Sequence, residues 1–138
     1  MVGIVVVGHG HVAEGMVQTL EGVLGPVEAL VAVATSIADT ADAIRERIAE
    51  AVRRVDRGAG VIILTDMLGD TPTNQSLAVA RERGVEVVAG VNMPILFKVA
   101  TTRAGTDAAT LARFIQRYGQ EHIFWATEPP ATRSRQAR

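Results

Sequence analysis

Two hydrophobic periods alternate along this 138-residue chain. Val2–Val7 is an apolar run broken only by Gly3, the pattern of a strand buried on both faces. The chain then turns at Gly8-His9-Gly10-His11, and Met16, Val17, Leu20, Val23 and Leu24 follow at helix spacing. Gly25-Pro26 marks a turn and Val27–Ala34 a second strand. After the polar loop Thr35–Asp39, the residues Ile44, Ile48, Val52 and Val55 stripe one face of an amphipathic helix, with Gly58 as its C-cap. Val61–Leu64 reads as a central parallel strand. It runs into the loop Thr65–Asn74, and a helix is predicted over Ser76–Arg83 with Pro72 near its start. Val85–Val91 is a further strand, ending in Asn92-Met93-Pro94 before a helix from about Ile95 to Thr102. Leu111, Phe114, Ile115 and Tyr118 stripe the last helix, and His122–Ala126 reads as a short final strand. Glu128–Arg138, with two prolines and three arginines, reads as a disordered tail.

Strands that alternate with helices imply a single doubly wound α/β sheet, mostly parallel, over residues 1–127. Composition narrows the function. A net charge of -1 leaves no electrostatic footprint for nucleic acid. Without cysteine there is neither a disulfide framework nor a thiolate metal site. The apolar start is too short to span a membrane, and it lacks a basic segment and a cleavage site, so the cytoplasm is the expected compartment. One Trp, one Tyr and three Phe leave the core to aliphatic side chains.

The chemistry gathers where strands end. If the three central strands run parallel, one edge of the sheet brings together His9 and His11, then Asp66, Thr71 and Asn74, then Asn92. Ligands bind at that edge in open α/β sheets, and helix N-termini there favour anions. A histidine backed by a carboxylate has its tautomer fixed, which frees the other ring nitrogen to attack. No serine, cysteine or lysine nucleophile lies in these loops. The set suits transfer of an anionic group, phosphoryl above all. Plainer readings exist for each residue. Asp66 could cap the following turn, Thr71 could serve as an N-cap, and His11 reads best as a first-turn residue of the helix. Asn74 and Asn92 read as loop-fixing residues and His122 as a strand or interface residue. A metal pair of His9 and His11 would lack a third ligand.

Several of these stretches resemble the IIA domain of the mannose class of the bacterial sugar phosphotransferase system (PTS). They are the strand ending at His9-Gly10, Leu64-Thr65-Asp66, the loop Gly69-Asp70-Thr71-Pro72-Thr73-Asn74, and Ala89-Gly90-Val91-Asn92-Met93-Pro94. The resemblance spans roughly Met1–Ala126. It implies a phosphoryl carrier in which His9 accepts phosphate from the phosphocarrier protein HPr and passes it to a histidine of a IIB component, here on a separate chain. It implies that Asp66 orients the ring through Nδ1, and that Gly10, Gly69 and Thr71 help hold the phosphoryl group. It implies neither metal nor nucleotide, and a homodimer that exchanges the strand His122–Ala126. Two positions depart from the family pattern. His11 stands where an aromatic or small residue is usual, and the loop reads Gly-Asp-Thr-Pro where Gly-Gly-Ser-Pro is common, so Asp70 adds a negative charge beside the site. Two further roles compatible with the residues are a regulatory module whose phosphorylation state signals to a partner, and the phosphotransferase subunit of dihydroxyacetone kinase.

Overall fold

A computed structural model describes residues 1–81 and 84–130. Four parallel strands, β1 (Gly3–His9), β2 (Leu30–Thr35), β3 (Val61–Thr65) and β4 (Val85–Ala89), form one sheet in the order β2-β1-β3-β4. Five helices flank it: α1 (Val12–Leu24), α2 (Ala41–Val55), α3 (Thr71–Val79), α4 (Met93–Thr102) and α5 (Ala108–Glu121). The doubly wound parallel sheet expected from the sequence is present.

Alternation along β1 builds the two faces. Val2, Ile4 and Val6 pack with residues of α1, α4 and α5, while Val5 and Val7 pack with residues of α2 and α3. Both sides are aliphatic, which is why β1 and β3 carry no polar residue until their last positions. The helices start where side chains satisfy free backbone N–H groups. Thr40 accepts from the N–H of Ala43, Asn92 from that of Ile95, and Asp107 from that of Thr110.

Several elements differ from the sequence reading; β4 ends at Ala89, short of Val91, and Asp56 takes the C-cap of α2 in place of Gly58. Helix α3 starts at Thr71, five residues before the predicted start, because Asp70 takes the N-cap and Pro72 fits the first turn; Arg83, its predicted end, lies outside the described residues. The second strand starts at Leu30, since Ala29 adopts a positive φ of 53°. The predicted strand His122–Ala126 does not form within this chain. The segment leaves α5 and bends into a turn closed by the Glu128 N–H on the Trp125 carbonyl, with Ile123, Phe124 and Trp125 exposed. The segment pairs with none of the four strands, and strand pattern without a partner strand is not enough. The predicted tail also begins packed, Glu128 being buried; residues 131–138 lie outside the described residues. No helix of the described residues is long and apolar enough to cross a membrane.

Candidate active site

The strand order reverses between β1 and β3. From β1 the chain passes to β2 on one side, then returns to place β3 on the other. The crevice beyond the carboxyl ends at such a switch point is the favoured ligand site of open α/β sheets. His9 ends β1 and Asp66 follows β3, so the topology alone sets them side by side.

One oxygen of Asp66 holds His9 twice. Oδ2 accepts the His9 backbone N–H at 2.9 Å and lies 2.7 Å from Nδ1. The other oxygen accepts the N–H of Met67 at 3.0 Å. A Cβ on Gly8 would stand 3.4 Å from Asp66 Oδ2, in ordinary contact with it. The hydrogen bond to Asp66 raises the His9 pKa above 6.5, partial burial opposes it, and the charges of Asp66 and Asp70 add to the rise. Burial pushes the Asp66 carboxyl up, but its hydrogen bonds from His9 and the ring's charge pull it down further, leaving it below 3.8. An ionised Asp66 accepts only, so Nδ1 carries the proton of this bond and the ring's chemistry falls to Nε2.

Asp70, the N-cap of α3, stands on the far side of the ring. Its Oδ2 is 3.1 Å from Nε2. The contact is an ion pair without the alignment of a hydrogen bond, and this oxygen is shielded from solvent with no hydrogen-bond partner. Its Oδ1 accepts the Thr73 N–H at a long 3.4 Å. The two carboxylates each face a ring nitrogen of His9. His9, Asp66 and Asp70 offer polar atoms within 4.8 Å of one another, as exposed acidic groups commonly do without an ion.

The other candidates separate. His11 is at the start of α1, its ring 95% exposed and 3.4 Å from Glu14 Oε2, outside the His9 cluster. Gly10 turns with φ 54° and gives its N–H to the Thr35 carbonyl at 2.8 Å. That amide therefore braces β1 on β2, and the phosphoryl-holding role assigned to Gly10 has no free donor there. Gly69 is exposed with φ 89°, in the tight bend that carries the chain from Asp66 to α3. Thr71 is the exposed first residue of α3. Asn92 caps α4, and Asn74 gives its N–H to the Asp70 carbonyl. His122 stacks on Tyr118 at 3.6 Å, far down α5.

Residues 3–116 match the protein family described as the PTS system fructose IIA component. The chain belongs to that family. It is a IIA component of the mannose, sorbose and fructose class of the PTS, whose members are phosphotransferase carriers. Among curated relatives, the sorbose-specific EIIA component of Lacticaseibacillus casei is 24% identical over 134 residues, 96% of both chains. The mannose-specific EIIAB component of Escherichia coli is 31% identical over 103 residues, 74% of this chain but 32% of that longer protein. Among solved structures, EIIA from Streptococcus agalactiae superposes with a TM-score of 0.81 at 25% identity, covering 90% of this IIA chain and 96% of that one.

Sequence reasoning missed a hydroxyl staple beneath the site of this IIA component. Thr65 and Thr73 are buried and their hydroxyls meet at 2.8 Å, with Thr73 also bonded to the Met67 carbonyl. Ser76 closes the next turn on the Pro72 carbonyl at 2.7 Å. The available signal was a hydroxyl at the end of an apolar strand and another just inside the following helix.

Proposed function

We propose that this IIA component carries phosphoryl groups on His9 Nε2, taking them from phospho-HPr and passing them to a IIB component. The carrying observation is the double hold of one Asp66 oxygen on the His9 backbone and Nδ1, which fixes the ring with Nε2 free of that bond at the switch point. In the forward step Nε2 supplies its electron pair to phosphorus. The N–P bond of the donor breaks and its pair stays on the donor imidazole. The onward step repeats this with His9 as the leaving group. The donor is already an activated phosphoramidate, so positioning and electrostatics are what the protein must add. Asp66 supplies both: it orients the ring and offsets the positive charge that the ring gains as the N–P bond forms. Thr71 and the Gly69 bend, both exposed at the start of α3, are suited to hold phosphoryl oxygens.

Incubation with phosphoenolpyruvate, enzyme I and HPr should place one acid-labile phosphoryl group on His9. Mass spectrometry of the His9→Ala and His11→Ala proteins checks it. Labelling that survives the first substitution and vanishes with the second names the wrong histidine.

We also propose that His122–Ala126 finds its partner on a second copy of the chain. Ile123, Phe124 and Trp125 are 78%, 68% and 65% exposed, and a cavity of about 250 Å³ beside the free edge of β4 is lined by Val88, Ile95, Ile115 and Ile123 among others. Light scattering should show a dimer that the double substitution Phe124→Ala, Trp125→Ala weakens. An undiminished dimer in that variant removes the segment from the interface.

A further inference from the structure

The placement of Asp70 carries a consequence for the transfer itself. Its carboxylate is held loosely: Oδ1 makes only the long cap bond to Thr73, and Oδ2 is buried beside Nε2 with no hydrogen bond. An oxygen held only by a charge contact, with no aligned hydrogen bond, is free to leave this position. Phosphoryl oxygens fan out around the N–P axis, within contact range of an oxygen 3.1 Å from Nε2. Two anions cannot share that volume without strong repulsion.

We infer that the Asp70 carboxylate is a placeholder for the phosphoryl group, standing at Nε2 in the unphosphorylated protein and displaced when His9 is phosphorylated. This rests on the phosphoryl-carrier reading above and adds a positioning residue to it. Two effects follow. The Asp70 charge favours a proton on Nε2 of the unphosphorylated ring, and that proton passes to water before the nitrogen attacks. The displaced carboxylate remains a like charge next to phospho-His9, which drives the phosphoryl group onward. Other charged groups nearby are engaged elsewhere. His11 and Glu14 at the start of α1 face each other, and Asp39 in the loop after β2 pairs with Arg47 at 2.7 Å. Among the described residues, Asp66 and Asp70 are the charges that act on His9.

Asp70→Asn tests the inference, because asparagine is an equally good N-cap and keeps α3. Three quantities are read in the parent and the variant: the NMR titration of the His9 ring without any donor, the equilibrium of phosphoryl exchange with HPr, and the pH profile of that exchange. In the variant the titration midpoint of His9 should fall, with the Asp66 bond still raising it. The pH midpoint of phosphorylation should fall with it, and the exchange equilibrium should shift about fivefold toward phospho-His9, the scale of one partly exposed charge pair. A folded variant with unchanged titration and equilibrium overturns the inference and leaves Asp70 a helix cap. A variant whose titration moves while its equilibrium stays put overturns it too, since Asp70 would then face the proton and not the phosphoryl group. Failure of the parent itself to label His9 removes the carrier reading and the inference with it.

Discussion

The two ends of the same parallel strands are built on opposite terms. At the amino end, backbone meets backbone with no room for side chains. A Cβ on Gly3 would stand 2.4 Å from the Val55 carbonyl oxygen, and one on Gly60 would stand 2.5 Å from that of Gly84. Buried Arg103 ties this end together, donating to the carbonyls of Val2, Ala29 and Glu28. At the carboxyl end the spacing is wider and side chains do the holding. His9 remains 45% exposed, and Met67, Leu68 and Thr71 are open to solvent around it. Each end therefore has its own task. The closed end contributes stability, and the open end can exchange contacts with a partner without loosening the sheet.

Substitutions at the two ends should separate these tasks. The largest effect is expected at the open end: His9→Ala should abolish phosphorylation by HPr while its thermal unfolding stays close to that of the parent. A marked loss of stability in that variant would blur the division. At the closed end, Gly60→Ala combines an unfavourable φ of 89° with a backbone clash and should cost about 3 kcal/mol in urea unfolding. Labelling per folded molecule should stay at the parent level. Next comes Asp66→Asn, which keeps the shape but removes the charge that orients the ring; labelling should slow about a hundredfold with little change in stability. Parent-like kinetics would take Asp66 out of the mechanism.

The smallest effect is the pH dependence of stability from the His9–Asp66 pair. The Asp66 pKa is lowered on folding, so its share is present above 3.8 and is lost as pH falls through the folded value. The His9 pKa is raised, so its share is present below 6.5 and is lost as pH rises through the folded value. The parent should thus exceed His9→Ala by less than about 1 kcal/mol, most clearly between about pH 4 and 6.5, given the ring's exposure. A difference that does not vary with pH would show that the pair adds nothing to the open end.

What the sequence made legible follows from what is local in it. The runs Val2–Val7 and Val61–Leu64 are apolar because both faces of β1 and β3 are covered, so strand, order of elements and the residues His9 and Asp66 at their ends could be read directly. Asp70 was legible only as an added charge. Its distance to Nε2 depends on how α3 is capped, and that depends on Asp70 itself. The amide of Gly10 illustrates another limit. A glycine after the histidine suggests a free donor, yet pairing of β1 with β2 hands that N–H to Thr35. His122–Ala126 has the alternation of a strand, but alternation encodes faces and says nothing of where a ladder partner comes from.

The double hold of Asp66 on His9 also makes the site a register mark. It joins residues 57 positions apart, and both bonds reach a single carboxylate oxygen. Slipping β3 by one position against β1 would turn the side chains of β3 to the opposite faces of the sheet and carry Asp66 away from the ring. Non-local parallel pairing of this kind closes a long loop before it gains contacts, which makes it costly to form. On the phosphoryl-carrier reading, competence for labelling requires this register, so a chain with native helices but a misregistered centre should stay chemically silent.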